Sequence, residues 1–413
     1  MAPLHFHLCC DTSHHMGMSP VSYSDVLRAR ETIGDRVKLT PVLTSASLSR
    51  ITGTTLALKA ENLQRTGSFK VRGALNRLVA LSDAEKLKGV VAASAGNHGQ
   101  AVAWAAHELG VPCSVVMPTA ASVSKITATR GYGATVVLEG ETFDDAMAAA
   151  RRRCDETGEL LVHAFDDPLI IAGQGTIGLE LLEQLTELDS LLVPIGGGGL
   201  AAGIAIAMSE RRPSVRLIGV QASACAPWLG MQPAGFTIAD GIAVKQPGDM
   251  TRAILESRLE EVRAVNAEAV AEAILLLLER SKLQVEGAGA AAVAALLTAG
   301  PALKGTTCAL LSGGNIDPSV LLSVVRAGLT RAGRYLILRV RVPDRPGQLS
   351  RVLAEVGALG GNLVTVFHQR EGREDLGILE TEIDLTILAR DQDHGDQIVA
   401  RLEEIGVRIK RLA

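Results

Sequence analysis

The chain has 413 residues, 47% of them hydrophobic and 21% charged, which predicts two or more domains with sizeable cores and excludes extensive disorder. Aromatic residues make up 3% and the formal net charge is -4, so the stacking platforms and basic field of a nucleic-acid binder are both missing. The expected partner is a small molecule, with no nucleic acid and no membrane.

Met1 to Ser19 carry histidines and two cysteines but no basic flank followed by an apolar core, so a loose, disordered tail is expected rather than a secretory signal. The six cysteines form no CxxC pair, which predicts neither a disulfide framework nor a metal site and fits a reducing cytoplasm. From about Leu56 to Asp317, β-branched or apolar runs alternate with alanine-rich stretches, the pattern of βαβ units around a parallel sheet. The expected strands are Leu56–Lys59, Gly89–Ala93, Cys113–Met117, Thr135–Leu138, Leu160–Ala164, Leu191–Ile195, Arg216–Val220 and Thr307–Leu311. Ligands of open parallel sheets sit beyond the carboxyl ends of strands, so the turns that follow them are where chemistry is sought.

After Leu56–Lys59 comes Glu61-Asn62-Leu63-Gln64-Arg65-Thr66-Gly67-Ser68-Phe69-Lys70, then a helical stretch Val71–Leu81. Ser68 is the expected N-cap, which puts Lys70 in the first turn, where the helix dipole disfavours its ammonium. A neutral amine is what imine formation requires. Taken alone, the same lysine reads as a solvated residue on a helix. After Gly89–Ala93 comes Ser94-Ala95-Gly96-Asn97-His98-Gly99-Gln100, opening the helix Ala101–Leu109. Its unpaired N–H groups can hold a carboxylate and Asn97 offers an amide, while His98 is expected to pack locally.

Leu191–Ile195 leads into Gly196-Gly197-Gly198-Gly199-Leu200 and the helix Ala201–Met208. Successive N–H groups at a helix N-terminus cradle a phosphate that side chains would block. A dinucleotide site would want an acidic residue about 20 positions on. Here the next strand ends at Val220-Gln221, so a single phosphate is favoured. The uncharged runs Leu191–Met208 and Gly287–Leu303 are broken by Pro194 with its glycines and by Pro301, and read as packed interior rather than membrane spans. Thr307–Leu311 ends in Ser312-Gly313-Gly314-Asn315, where a serine hydroxyl can face a ring nitrogen or simply cap the next helix. Near Arg334 the pattern changes. Tyr335–Val342 alternates as a strand, Pro346–Leu359 reads as a helix, and further strands and a final helix complete a small α+β module, with Leu322–Arg334 as the junction.

Taken together, ENLQRTGSFKVRGALN, SAGNHGQ, AGQGTIGLE (Ala172 to Glu180), GGGGL and SGGN resemble the threonine dehydratase (threonine ammonia-lyase) family from about Pro41 to Asp317. The resemblance implies an α/β, tryptophan-synthase-like fold of type II, with two subdomains enclosing pyridoxal 5'-phosphate. It spans residues 20–330, with the smaller subdomain at about 70–165. It implies Lys70, with Phe69 beside it, as the residue that bonds the cofactor and moves the substrate's α-proton. It further implies Asn97 against the ring oxygen, Gly196, Gly197, Gly198, Gly199 and Leu200 around the phosphate, and Ser312 at the pyridine nitrogen. The turn Ser94, Ala95, Gly96, Asn97 and His98 would receive the substrate carboxylate. A hydroxyl at the ring nitrogen makes a weaker electron sink than a carboxylate would, which suits elimination.

Val342-Pro343-Asp344-Arg345-Pro346-Gly347-Gln348-Leu349 resembles the DRPG loop of ACT domains, which implies a regulatory module at 335–413 that binds an amino-acid effector near Gly347 and Asn362. The implied activity converts L-threonine to 2-oxobutanoate and ammonia, with serine giving pyruvate. The implied setting is a cytoplasmic homodimer or homotetramer feeding isoleucine biosynthesis. Two alternatives stand beside it. One is a serine racemase, which typically carries a second serine where this chain has Ala95; the other is an inactive amino-acid sensor built on the ACT module.

Overall fold

The computed structural model describes residues 20–298, 303–369 and 379–412. The tail expected at 1–19 and the end of the uncharged 287–303 run lie outside the described residues. The chain divides after Asp317 into two compact units. The division gives the helix Pro318–Arg331 to the C-terminal unit, whereas the sequence expectation carried the first domain on to residue 330.

The first unit contains two sheets. One has six strands in the order Val42–Thr44, Thr55–Lys59, Thr306–Leu310, Ser190–Pro194, Arg216–Ala222, Glu261–Val265, parallel throughout except at the first pair. The other is wholly parallel, in the order Thr135–Leu138, Cys113–Met117, Val90–Ala93, Leu160–Leu161. Every residue of Ser190–Pro194 and of Val90–Ala93 is buried, as strands covered on both faces must be. Both edge strands of the larger sheet escaped the sequence reading. Val42–Thr44 is only three residues long, and Glu261–Val265 interleaves charge with apolar residues. The strand expected at Leu160–Ala164 stops at Leu161, because the chain turns inward to form part of the site.

Three helices join the sheets. Lys70–Val79 and Gly199–Arg211 both pack against Pro168–Gln184, whose start is fixed by Asp167 accepting from the Leu169 and Ile170 amides ahead of a helical proline. The AGQGTIGLE segment lies in this central helix, and its glycines permit main-chain contact on both sides. A Cβ on Gly173 would lie 2.6 Å from Gly73 Cα, and one on Gly175 would lie 2.8 Å from the Gly203 carbonyl oxygen. Below this crossing sits a buried ion cluster. Arg72 pairs with Glu61 at 2.8 Å and with Glu180 at 2.5 Å, and Lys59 donates to Glu180 at 2.5 Å and to the Thr40 carbonyl at 2.8 Å.

In the C-terminal unit the antiparallel sheet runs Asn362–Gln369, Glu380–Leu388, Tyr335–Pro343, Arg408–Arg411. Residues Tyr335 to Val342 alternate between half-buried and buried, so the predicted strand period is realised. Val352, Val356, Ile398 and Leu402 of the helices Gln348–Ala358 and Gln392–Glu404 close the core over Leu336, Leu338 and Val340. The first of these helices starts two residues later than expected, because Gly347 takes φ +90° as its N-cap. Among the described residues no helix is long and apolar enough to cross a membrane.

Candidate active site

Lys70 is the first residue of its helix, as the turn chemistry predicts, but the cap is not Ser68. Phe69 occupies the N-cap position without a side-chain hydrogen bond. Ser68 is instead extended and bridges Gly313, and its buried hydroxyl has no hydrogen-bond partner among the described residues. The Lys70 side chain is half-buried, and its amine donates to the Ala164 carbonyl at 2.7 Å. Desolvation pushes it down to about 8, against the pull of the Glu286 carboxylate. A substantial fraction of this amine is therefore neutral and nucleophilic close to physiological pH.

The residue after Ala164 links the amine to the glycine turn. The Phe165 ring lies against Gly197, and a Cβ on Gly199 would lie 2.7 Å from the Phe165 carbonyl oxygen. Gly198 takes φ +100° and serves as N-cap of Gly199–Arg211. The turn is held from behind by Trp228 Nε1, which donates to the Gly196 carbonyl at 3.0 Å, and by Thr251 Oγ1, which donates to the Gly197 carbonyl at 2.6 Å. Its carbonyls are thus turned away and engaged. No acceptor among the described residues takes the amide hydrogens of Gly197, Gly198, Gly199 or Leu200. That row of free donors at a helix N-terminus is built for an anion.

On the other side of Lys70, the Phe69 amide donates to the Ser312 carbonyl at 3.2 Å, and the Gly314 amide to the Gly67 carbonyl at 2.8 Å. The SGGN turn is thereby docked on the lysine turn. The Ser312 hydroxyl has no protein partner among the described residues, so it is free to meet a ring nitrogen. The helix after Val90–Ala93 begins at Asn97, four residues before the expected start, so Asn97 and His98 sit in its first turn rather than in a loop. Ser94 accepts the Gly96 amide at 3.1 Å, and Ala95 stands between them without a hydroxyl. The His98 ring donates to the Val162 carbonyl at 2.9 Å, and burial with the nearby Lys70 charge pushes it down to about 3. It is a neutral packing residue, as its local reading anticipates.

The sequence reading missed one prominent member. Glu286 is buried, accepts from Asn97 Nδ2 at 2.6 Å through Oε1, and is pushed up to about 7 by burial and by Asp240. Its signal in the sequence is a single acidic residue opening the long uncharged run 287–303, at a place where a solvent-facing helix cap is the ordinary expectation.

These features fit pyridoxal phosphate. The four unclaimed amides suit its phosphate, the depressed amine its aldehyde, the Ser312 hydroxyl its ring nitrogen, and Asn97 its ring oxygen.

The family model described as pyridoxal-phosphate dependent enzyme matches residues 33–313, and the ACT domain model matches residues 336–407. The L-threonine ammonia-lyase of Geobacter sulfurreducens is 46% identical over 393 residues, covering 93% of this chain and 98% of that protein. The structure of the processed form of threonine deaminase isoform 2 from Solanum lycopersicum superposes with a TM-score of 0.68 at 35% identity, over 73% of this chain and 90% of that one. The structure of maize serine racemase gives a TM-score of 0.69 at 33% identity, over 75% of this chain and 98% of that one.

Proposed function

The chain belongs to the pyridoxal-phosphate-dependent enzymes and carries an ACT domain, and from that premise we propose that it is a threonine ammonia-lyase, converting L-threonine to 2-oxobutanoate and ammonia. The observation that carries the reading is the depressed Lys70 amine, joined through Ala164-Phe165 to a turn of four unclaimed amides.

When bound, the cofactor supplies an aldehyde that condenses with amines and a conjugated ring that disperses charge from the substrate α-carbon. Gly197, Gly198, Gly199 and Leu200 would hold its phosphate, and Lys70 Nζ would hold its aldehyde carbon. The Ser94–His98 turn receives the substrate carboxylate. Lys70 Nζ, with its pKa lowered by burial, would be the base that takes the substrate's α-proton. In net terms one threonine yields one 2-oxobutanoate and one ammonia, and serine yields pyruvate and ammonia.

The keto-acid assay tests this directly. Lys70→Ala is expected to abolish both threonine-dependent 2-oxobutanoate formation and the visible absorption of bound cofactor; retention of both refutes the assignment. The racemase reading is supported by the shared fold and opposed by Ala95, which puts no hydroxyl at the second position of the Ser94–His98 turn. Chiral analysis of serine after incubation separates the two.

The ACT domain is the expected seat of control, with an amino-acid effector near Gly347 and Asn362 at the interface of paired modules, in a cytoplasmic homo-oligomer serving isoleucine synthesis. Among the described residues Cys113, Cys154, Cys225 and Cys308 are free thiols. Titration with isoleucine, comparing the full chain with one ending at Asp317, is expected to show a response in the full chain alone.

A further inference from the structure

The Asn97 amide is not free to choose its direction. A backbone carbonyl only accepts, so the Asn315 nitrogen that donates to the Thr66 carbonyl at 2.6 Å is fixed as Nδ2. Its second hydrogen goes to Asn97 Oδ1 at 2.8 Å, which in turn fixes the other end of Asn97 as the donor. One Asn97 Nδ2 hydrogen goes to Glu286 Oε1, and the other has no acceptor among the described residues. The polarity of the whole chain, from Thr66 through Asn315 and Asn97 to Glu286, is thus set at a main-chain atom.

Several features of the fold serve to bring Glu286 there. The helix Ala267–Leu276 continues into a π-helical turn, Leu277–Ser281, and Lys282 follows at φ 60°. A widened turn and a left-handed lysine are both unfavourable locally and persist where the surroundings require them. The residues they deliver dock on the SGGN turn. The Gln284 carbonyl accepts from Asn62 Nδ2 at 3.0 Å, and the Glu286 amide donates to the Gly313 carbonyl at 3.1 Å. Gly313 leaves the room required, since a Cβ there would lie 3.1 Å from Asn97 Nδ2 and would overlap the Glu286 carboxyl.

We propose that Glu286 is a positioning residue for the cofactor's ring oxygen: together with Asn315 it holds the Asn97 amide so that one Nδ2 hydrogen is reserved for that oxygen, and its own protonation state sets the charge beside it. The proposal rests on the reading of the site as a pyridoxal-phosphate pocket. The charged groups facing Glu286 are Asp240 from the Asp240–Ile242 turn, Lys125 from the helix Val123–Gly131 and Lys70. Burial and Asp240 favour the neutral carboxyl, whereas Asn97, Lys125 and Lys70 favour the charged one. Near neutrality the group therefore lies close to its midpoint. A carboxylate next to an oxygen that carries negative charge is unfavourable, so the cofactor binds best with the proton in place. The proton sits on Oε2, because Oε1 is taken by Asn97.

The test is the dissociation constant of pyridoxal phosphate, read by absorbance and fluorescence from pH 6 to 9, for the wild-type chain, Glu286→Gln, Glu286→Leu and Asn315→Asp. In the wild type, affinity carries a step near pH 7 from Glu286 and one of opposite sign near pH 8 from Lys70. Glu286→Gln keeps an acceptor for Asn97 without the charge. It is expected to bind at pH 6 within about twofold of wild type and to lose the first step only. Glu286→Leu removes the acceptor and is expected to weaken binding about tenfold. Asn315→Asp presents only acceptors to Asn97 Oδ1, so it turns that amide around. It is expected to weaken binding and to move the Glu286 step to higher pH, since only a protonated carboxyl can then donate to Asn97. Retention of the pH 7 step in Glu286→Gln overturns the proposal, and so does wild-type affinity in both Glu286→Leu and Asn315→Asp. A wild-type chain that binds no cofactor overturns the underlying reading along with it.

Discussion

The Lys70 amine hydrogen-bonds to a single backbone carbonyl, that of Ala164, and no carboxylate among the described residues is in direct contact with it. Burial lowers its pKa from 10.5 to about 8. Reconstitution of the cofactor-free chain is therefore expected to speed up through a midpoint near pH 8, and stopped-flow absorbance would read it. The linkage sign is that of a depressed lysine. The neutral amine costs nothing above pH 10.5, and stability falls as pH drops from there through 8. A midpoint near 10 would mean that the amine is fully solvated.

Thr251 is expected to matter to the phosphate end without touching any ligand. Its hydroxyl donates to the Gly197 carbonyl, where the Gly248 amide also points at 3.2 Å. Thr251→Val removes one of two donors from a buried carbonyl, a loss of about 1 kcal/mol. The expected result is roughly fivefold weaker pyridoxal phosphate binding with the Lys70 midpoint unchanged, measured by fluorescence titration.

Arg72 separates structural from chemical roles on one helix. It lies two residues beyond Lys70 and is wholly buried between Glu61 and Glu180. Arg72→Met leaves two carboxylates with Lys59 as their remaining cation, and a loss of about 3–5 kcal/mol of stability is expected. Urea denaturation followed by circular dichroism would measure it, and a change below about 1 kcal/mol would show that the cluster is not tightly coupled.

The glycine crossing makes the opposite kind of demand. Gly173→Ala puts a methyl group against Gly73 Cα and the Arg72 carbonyl, neither of which can rotate away. Destabilisation of about 1–3 kcal/mol or more is expected from overpacking. Gly357→Ala, where nothing lies within 4 Å, is the control and is expected to be neutral or better in the same denaturation assay.

How much of this was legible beforehand followed from how local each signal was. Strands such as Cys113–Met117 and Thr135–Leu138 are short apolar runs bounded by turns, and the structure gives them the same limits. Turns that present their own backbone, such as Gly196 to Leu200, announce themselves by composition. Glu286 and Asn315 do not, because each matters through a residue that lies far away in the chain and close in space. Ser68 misled for a related reason. Its capping pattern is real in isolation, but pairing with Gly313 holds it extended. The edge strand Glu261–Val265 reads as surface, which on its outer side it is.

Because the lysine helix and the tetraglycine helix both touch the Pro168–Gln184 helix through bare main chain, the Lys70 backbone and the row of amides are set at a fixed spacing. The two ends of the pocket thus work as a fixed gauge. A compound whose aldehyde and phosphate are spaced as in pyridoxal phosphate is expected to engage both jaws at once, and a phosphate ester one carbon longer or shorter to bind more weakly.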